Sequence, residues 1–225
     1  MPTPNSLKAI FSPENFYHIV CKSTDGLLLF HDNTDCQVFK QRLKKFTGDI
    51  LDVWSFCLIP NHTHHIVKTK SIEAVVKFVS SMPTENMTIA MKAFVAEPSN
   101  ESHFNKVIER QMNSFLVSYA NYINNRYQRK GSIFQKPFKR IKIEDEAHLH
   151  QAIIYTNANA QKHDLIANYK EYSFSSYKSV LENDEYFINA KDIIAFFKGL
   201  EKFVLLHDEQ VAYFYQRNWP NSKLE

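Results

Sequence analysis

Hydrophobic positions recur along this chain with two periods, every second residue in some stretches and every third or fourth in others. Phe16 to Ser23 (FYHIVCKS) reads as a strand, and Gly26 to Phe30 (GLLLF) as its hairpin partner. Asp32 to Phe46 sets Val38, Phe39 and Leu43 at helical spacing. Leu51 to Ile59 and His62 to Thr69 read as two strands joined at Pro60-Asn61, a turn-forming pair. Ser71 is placed to cap a helix that runs to about Ser81. Met82 to His103 lacks a clear period, and Pro83, Pro98, Ser99 and Asn100 mark loops around a short helix. From Lys106 to Arg126 the helical period returns through Ile108, Met112, Phe115, Leu116, Tyr119 and Ile123, and Gly131 stops it. Ile133 to Ile143 alternates like a strand, Glu144 to Gln161 reads as a helix, and a last helix is expected near Lys191 to Leu206.

Strands at hairpin spacing with helices between them predict an α+β fold, an antiparallel sheet with helices packed on one face. Residues 1–183 are expected to form one domain, with 82–103 as a loop-rich insertion. Residues 184–225 are expected to form a helical C-terminal extension.

Composition narrows this only a little. A chain of 225 residues with 44% hydrophobic and 23% charged positions can bury a core as one soluble domain with an appendage. Aromatics reach 14%, with 18 Phe and 11 Tyr against 4 Gly. Most of those rings belong in a core, and some could stack on unpaired bases. The net charge of +3 is too mild to indicate nucleic acid by itself, so local clustering matters more. Cys21, Cys36 and Cys57 are odd in number and form no CxxC pair, which suits a reducing cytoplasm and argues against a disulfide framework or zinc ribbon. The N-terminus lacks a signal-peptide pattern, and no apolar run approaches the roughly 20 residues of a membrane span. The expectation is a cytoplasmic protein with no membrane partner.

Candidate chemistry sits in two places. Within LIPNHTHHIVKTK, strand alternation points His62, His64 and Ile66 to one face, and Thr63, His65 and Val67 to the other. Two imidazoles two residues apart on one face can share a divalent ion, and they can equally be ordinary hydrogen-bonded histidines. A histidine triad would need a third alternating His where Ile66 stands, no second H-x-[ST] strand is present, and HExxH is absent.

Downstream, in EDEAHLHQAIIYTNANAQ, a helix would set Tyr155 and Asn159 one turn apart on one face. Asn159 could give a carbonyl oxygen to Mg²⁺ or Mn²⁺ alongside imidazole, with Tyr155 beside the ion as nucleophile. Alternatively, Tyr155 is a half-buried tyrosine with its hydroxyl at the rim. Between these two places, Arg126, Arg129, Lys130, Lys136, Lys139, Arg140 and Lys142 crowd 17 acid-free residues, interleaved with Tyr127, Phe134 and other rings. Such a run is often a solvated face. The interleaved rings suit a DNA strand, cations tracking phosphates while rings stack on bases.

Five segments in order, FYHIVCKSTDGLLLF, WSFCLIPNHTHHIV, YANYINNRYQRKGSIFQKPFKR, IEDEAHLHQAIIYTNANAQKHDLI and YSFSSYKSV, resemble the successive blocks of REP-associated tyrosine transposases. These are single-tyrosine HUH transposases, and the resemblance spans about residues 16 to 180. It implies a ferredoxin-like HUH palm in which His62 and His64 are the metal-binding pair, Asn159 the third ligand to Mg²⁺ or Mn²⁺, and Tyr155 the nucleophile. The implied substrate is single-stranded or hairpin DNA. Cleavage would leave a 5′-phosphotyrosine and a free 3′-hydroxyl, followed by rejoining, as in DNA transposition. The family includes dimers, so a homodimer is within its range.

The chain departs from the family pattern at Thr63, where a bulky apolar residue is usual, and at Pro137, where an Arg is common. It reads YTNANA where YIHLNP is typical, changing Thr156, Asn157 and Ala160. Those flanks would also suit a catalytically silent, domesticated DNA-binding protein derived from such an enzyme.

Overall fold

β-Branched and aromatic residues are frequent in 16–22, 51–59 and 62–69, and each of these segments pairs into a sheet. In the computed structural model, which describes residues 7–216, the strands are β1 (Phe16–Lys22), β2 (Leu51–Ile59), β3 (His62–Thr69) and β4 (Lys139–Ile143). They form one sheet in the order β2-β3-β1-β4, every neighbouring pair antiparallel. The helices are α1 (Asn33–Thr47), α2 (Ile72–Ser80), α3 (Ile89–Ala96), α4 (Glu101–Arg126), α5 (Glu146–Lys162), α6 (Ser176–Leu181), α7 (Ala190–Phe196) and α8 (Leu200–Gln216). A β-α-β-β-α-β path with β3 and β1 at the centre is the ferredoxin-like arrangement, and the α+β class expected from the sequence holds. Expectations for residues 1–6 and 217–225 lie outside the described residues.

Polar side chains set where the helices begin. Asp32, Ser71, Thr88, Asn100 and Asp145 each accept a hydrogen bond from an N–H of the first turn. Helices cover both faces of the sheet, not one. On the first face, α1 and α4 bring Phe39 edge-on to Phe115 and Tyr119, each with ring centres 4.9 Å away. On the second face α5 crosses β2 and β3, and Ala160 packs against Cys57 and Ile59. The back of α5 is itself covered by α8, which is why residues 152–160 are buried all round.

Three local expectations change. Gly26 to Phe30 is not a strand. Asp25 and Gly26 take positive φ of 52° and 69°, and the chain then turns into the core at Leu29. β1 needs no hairpin partner there because β3 and β4 already pair with both of its edges.

The strand-like run from Ile133 is paired in the sheet only from Lys139, with a single bridge between Phe134 and Ser23 before it. Pro137 lies between and has no N–H to give to a ladder. The helix expected over 191–206 is two helices, parted where Gly199 adopts φ +118°. Within 82–103, α3 packs on α4 through buried Met91 and Phe94, with Phe94 5.9 Å from Phe104.

Candidate active site

β3 is buried on both faces, so its alternation sorts three histidines between two surroundings. His62 and His64 face α5, with ring centres 5.1 Å apart. His62 Nδ1 lies 2.8 Å from Asn61 Oδ1, an oxygen that can only accept, so Nδ1 carries the proton and Nε2 the lone pair. His64 Nδ1 is 2.9 Å from His18 Nε2 on β1, while His64 Nε2 is buried with no hydrogen-bond partner. Burial first, and the neighbouring His18, His62, His65 and His163 next, hold the His64 pKa well below 6.5. The ring is neutral, the form that offers a lone pair to a metal.

α5 presents the complementary groups. Tyr155, Asn159 and His163 follow one another at four-residue intervals on one stripe. The Tyr155 ring lies 5.8 Å from His64 and 6.1 Å from His18, and the His163 ring lies 4.9 Å from His62. α5 therefore runs against β3 in direction, with Asn159 between those two contacts. Asn159 is fully buried, and neither its amide oxygen nor its nitrogen is hydrogen-bonded. A buried amide left this way costs about 1–3 kcal/mol. Lys162 reaches back along the helix and donates from Nζ to Tyr155 Oη at 2.9 Å.

The phenol and the imidazole pair expected from the sequence thus stand together, with Asn159 on the same stripe. Sequence reasoning missed His18, His163 and Lys162. A lone His in an otherwise apolar strand was the signal for His18. The continued four-residue step was the signal for His163.

Two imidazoles and an amide oxygen form a donor set that accepts Mg²⁺ or Mn²⁺, and the unpartnered His64 Nε2 and Asn159 Oδ1 fit such an ion. Among the described residues no group of three or more His, Cys, Asp or Glu could hold a metal ion. A cation here would depend on the amide as its third protein ligand.

The residues beside these positions are held by packing and hydrogen bonds. Thr63 faces away from α5, and its hydroxyl is 2.9 Å from His65 Nε2. Asn157, on the flank of α5 between β2 and α8, accepts at Oδ1 from Ser55 at 3.2 Å and from Ser176 at 2.5 Å. Its Nδ2 meets His207 Nε2 of α8 at 2.9 Å. His207 Nδ1 faces the Phe203 carbonyl at 2.7 Å and must donate there, so Nε2 is an acceptor for the amide. Ala160, being small, lets α5 approach Cys57 and Ile59.

The basic segment divides in two. Arg126 pairs with Asp32 at 2.6 Å and with fully buried Asp35 at 2.5 Å. Tyr127 donates to Asp35 at 2.8 Å and stacks on His31 at 4.0 Å. Phe134 is buried beside Tyr119, and Arg140 is buried in an ion pair with Glu109, its guanidinium 4.8 Å from the Phe11 ring centre. These four residues are committed to the fold.

Arg129 and Lys130 lie beyond the end of α4, where Lys130 is exposed, and Lys142 is half-buried on β4. Lys136 and Lys139 join Lys22 around a cleft of about 570 Å³, in which Asp25 is the acidic lining residue. Lys22 is paired with His62 across the sheet and Lys139 with Val20, so the cleft opens on the histidine face beside the strip that α5 covers.

No protein-family model and no curated protein matches the chain. Among solved structures it is similar to a REP-associated tyrosine transposase bound to a REP hairpin. That likeness has a TM-score of 0.48 at 14% identity and covers 78% of this chain and 84% of the other. Among the described residues no helix is long and apolar enough to cross a membrane.

Proposed function

We propose that this protein is a metal-dependent enzyme that nicks and rejoins single-stranded DNA through Tyr155, as in DNA transposition. The observation that carries the reading is the meeting of the Tyr155 ring with His64, 5.8 Å apart, beside His62 and the unpartnered Asn159 amide.

His62, His64 and Asn159 would hold Mg²⁺ or Mn²⁺, which supplies Lewis-acid polarisation of the scissile phosphate when bound. All three ligands are uncharged, so the site keeps its attraction for a phosphodiester. Tyr155 Oη attacks phosphorus, the bond to the 3′-oxygen breaks, and the phenol proton ends on that departing oxygen. The cut strand stays on the protein as a 5′-phosphotyrosine. Because phenolate leaves more readily than an alkoxide, a 3′-hydroxyl can reverse the step without ATP. Lys22, Lys136 and Lys139 line the cleft and would follow the backbone of a single strand or hairpin along it, with Arg129 and Lys130 as further phosphate contacts, whereas Lys142, paired with Tyr17, is on the other face of the sheet.

The test is incubation with Mn²⁺ and labelled single-stranded and hairpin oligonucleotides, scored for a denaturation-resistant protein–DNA band. The band is expected for the native chain and absent for Tyr155→Phe, which should still bind DNA. A band that persists in the phenylalanine variant removes Tyr155 from its role.

A second reading, a silent DNA-binding descendant of such an enzyme, is favoured by the closure of the site. His64 and Asn159 are fully buried, and Tyr155 is 8% exposed. Retention of DNA with no covalent band in either metal would select it.

A further inference from the structure

Lys162 holds a position that the reaction described above leaves unassigned. As the last residue of α5 it could extend into solvent or toward the free carbonyls of the helix end, where cations are favoured. It leans back two turns instead, following the N-terminal tilt of helical side chains, and ends with Nζ 2.9 Å from Tyr155 Oη. The same nitrogen lies 4.9 Å from the centre of the phenol ring. A lysine that merely covered the ring would place its charge over the face, away from the hydroxyl. Here the ammonium is directed at the one atom that must change charge.

We propose that Lys162 is a catalytic residue of the Tyr155 reaction, donating a hydrogen bond to Oη as charge collects on it in both directions of strand transfer. The inference rests on the reading of Tyr155 as nucleophile. In cleavage, the Oη–P bond forms, the P–O3′ bond breaks, and the phenol proton ends on the 3′-oxygen. In rejoining, the incoming 3′-oxygen forms its bond to phosphorus and the electron pair of the Oη–P bond returns to Oη. Lys162 stays protonated throughout and loses nothing to either product.

His62 and His64 reach the phenol from β3 and Lys162 reaches it along α5, so the cation of Lys162 is a source of stabilisation for the bridging oxygen separate from the imidazole pair. Fixed donors aimed at a developing oxyanion typically contribute about 10²–10³-fold in rate.

The experiment compares the native chain with Lys162→Met and Lys162→Arg, each with tyrosine or 2,3,5-trifluorotyrosine at position 155. It measures adduct formation, resealing of preformed adduct, DNA binding and thermal melting. Lys162→Met is expected to slow formation and resealing together by roughly 10²-fold, with binding and melting unchanged. Lys162→Arg should keep most of the rate. The fluorinated phenol carries negative charge more easily, so it should recover much of what Lys162→Met loses.

A Lys162→Met rate equal to native overturns the inference, as does a loss undiminished by fluorination or confined to DNA binding. If Lys162→Met melts early, the arginine variant with both phenols decides. Absence of any adduct in the native chain sinks the nucleophile reading itself and this inference with it. A native adduct with an unaffected methionine variant sinks only the inference.

Discussion

The two faces of β3 treat the same side chain in opposite ways. On the face toward α1, His65 bonds Thr63 at 2.9 Å and lies flat against Phe39, ring centres 5.6 Å apart and planes 13° from parallel. Burial pushes its pKa down to about 3, and it works as a flat, neutral piece of core. On the face toward α5, His62 and His64 look onto a phenol, an amide and two more imidazoles. His65 also has a ring nitrogen without a partner, Nδ1, so one unsatisfied nitrogen does not separate the faces. The difference is what stands opposite it, an aromatic wall in one case and convergent polar groups in the other. Buried histidine is therefore not a signature of function, and histidine facing an unsatisfied amide is a much better one.

Substitutions on the two faces should fail in different observables. The largest effect is expected from His64→Ala, which should lower Mn²⁺-dependent adduct formation by about 10³-fold or more. An adduct at near-native rate would remove the chemical distinction between the faces. Phe39→Ala on the opposite side should cost about 3–5 kcal/mol in urea unfolding. A cost below about 1 kcal/mol would mean that this face is not the packed one.

Asn159→Leu sharpens the contrast, because removing a buried unsatisfied amide should raise metal-free stability by about 1–2 kcal/mol. The same change should abolish any thermal stabilisation by Mn²⁺, and a less stable metal-free variant would show the amide to be satisfied after all.

His207 gives a smaller effect with a defined sign. Burial holds its pKa at about 3 in the folded chain, against about 6.5 when unfolded. The unfolded state therefore binds the extra proton first. Its contribution is complete above pH 6.5 and is lost by about 1.4 kcal/mol per pH unit as pH falls toward 3. His207→Gln should flatten that slope in melts taken between pH 6.5 and 4.5, and an unchanged slope would assign it elsewhere. The mildest effect is expected from joint replacement of Lys22, Lys136 and Lys139 by Ala. The slope of log affinity for single-stranded DNA against log salt should shrink by about 2, roughly 0.7 for each lost phosphate contact. A slope that does not move would put the strand elsewhere.

The core of the candidate site was legible because its residues recur at short periods. His62 and His64 are separated by one two-residue period of the strand, and Tyr155 and Asn159 by one helical turn. The partners that complete it lie across long sequence separations. His18 meets His64 only because β1 is central and pairs with β3 in one register, which local pattern does not specify. The same distance effect decides the basic run. Arg126 and Arg140 look like solvated charges until α1 brings Asp32 and Asp35, and α4 brings Glu109.

Strand order was hidden for a related reason. Gly26 to Phe30 has the composition of a hairpin strand, but β1 has no open edge to offer it. Position 199 was readable in principle, since a glycine inside a helical pattern is where a left-handed kink is cheapest.

The hydrogen bond between His207 and Asn157 makes α8 a structural partner of the helix that carries Tyr155. Shortening the protein at residue 183 would remove the partner of the Asn157 amide nitrogen and uncover the apolar residues of α5 that α8 covers. Trimmed versions should therefore be compared with the full chain before any loss of chemistry is blamed on the residues removed.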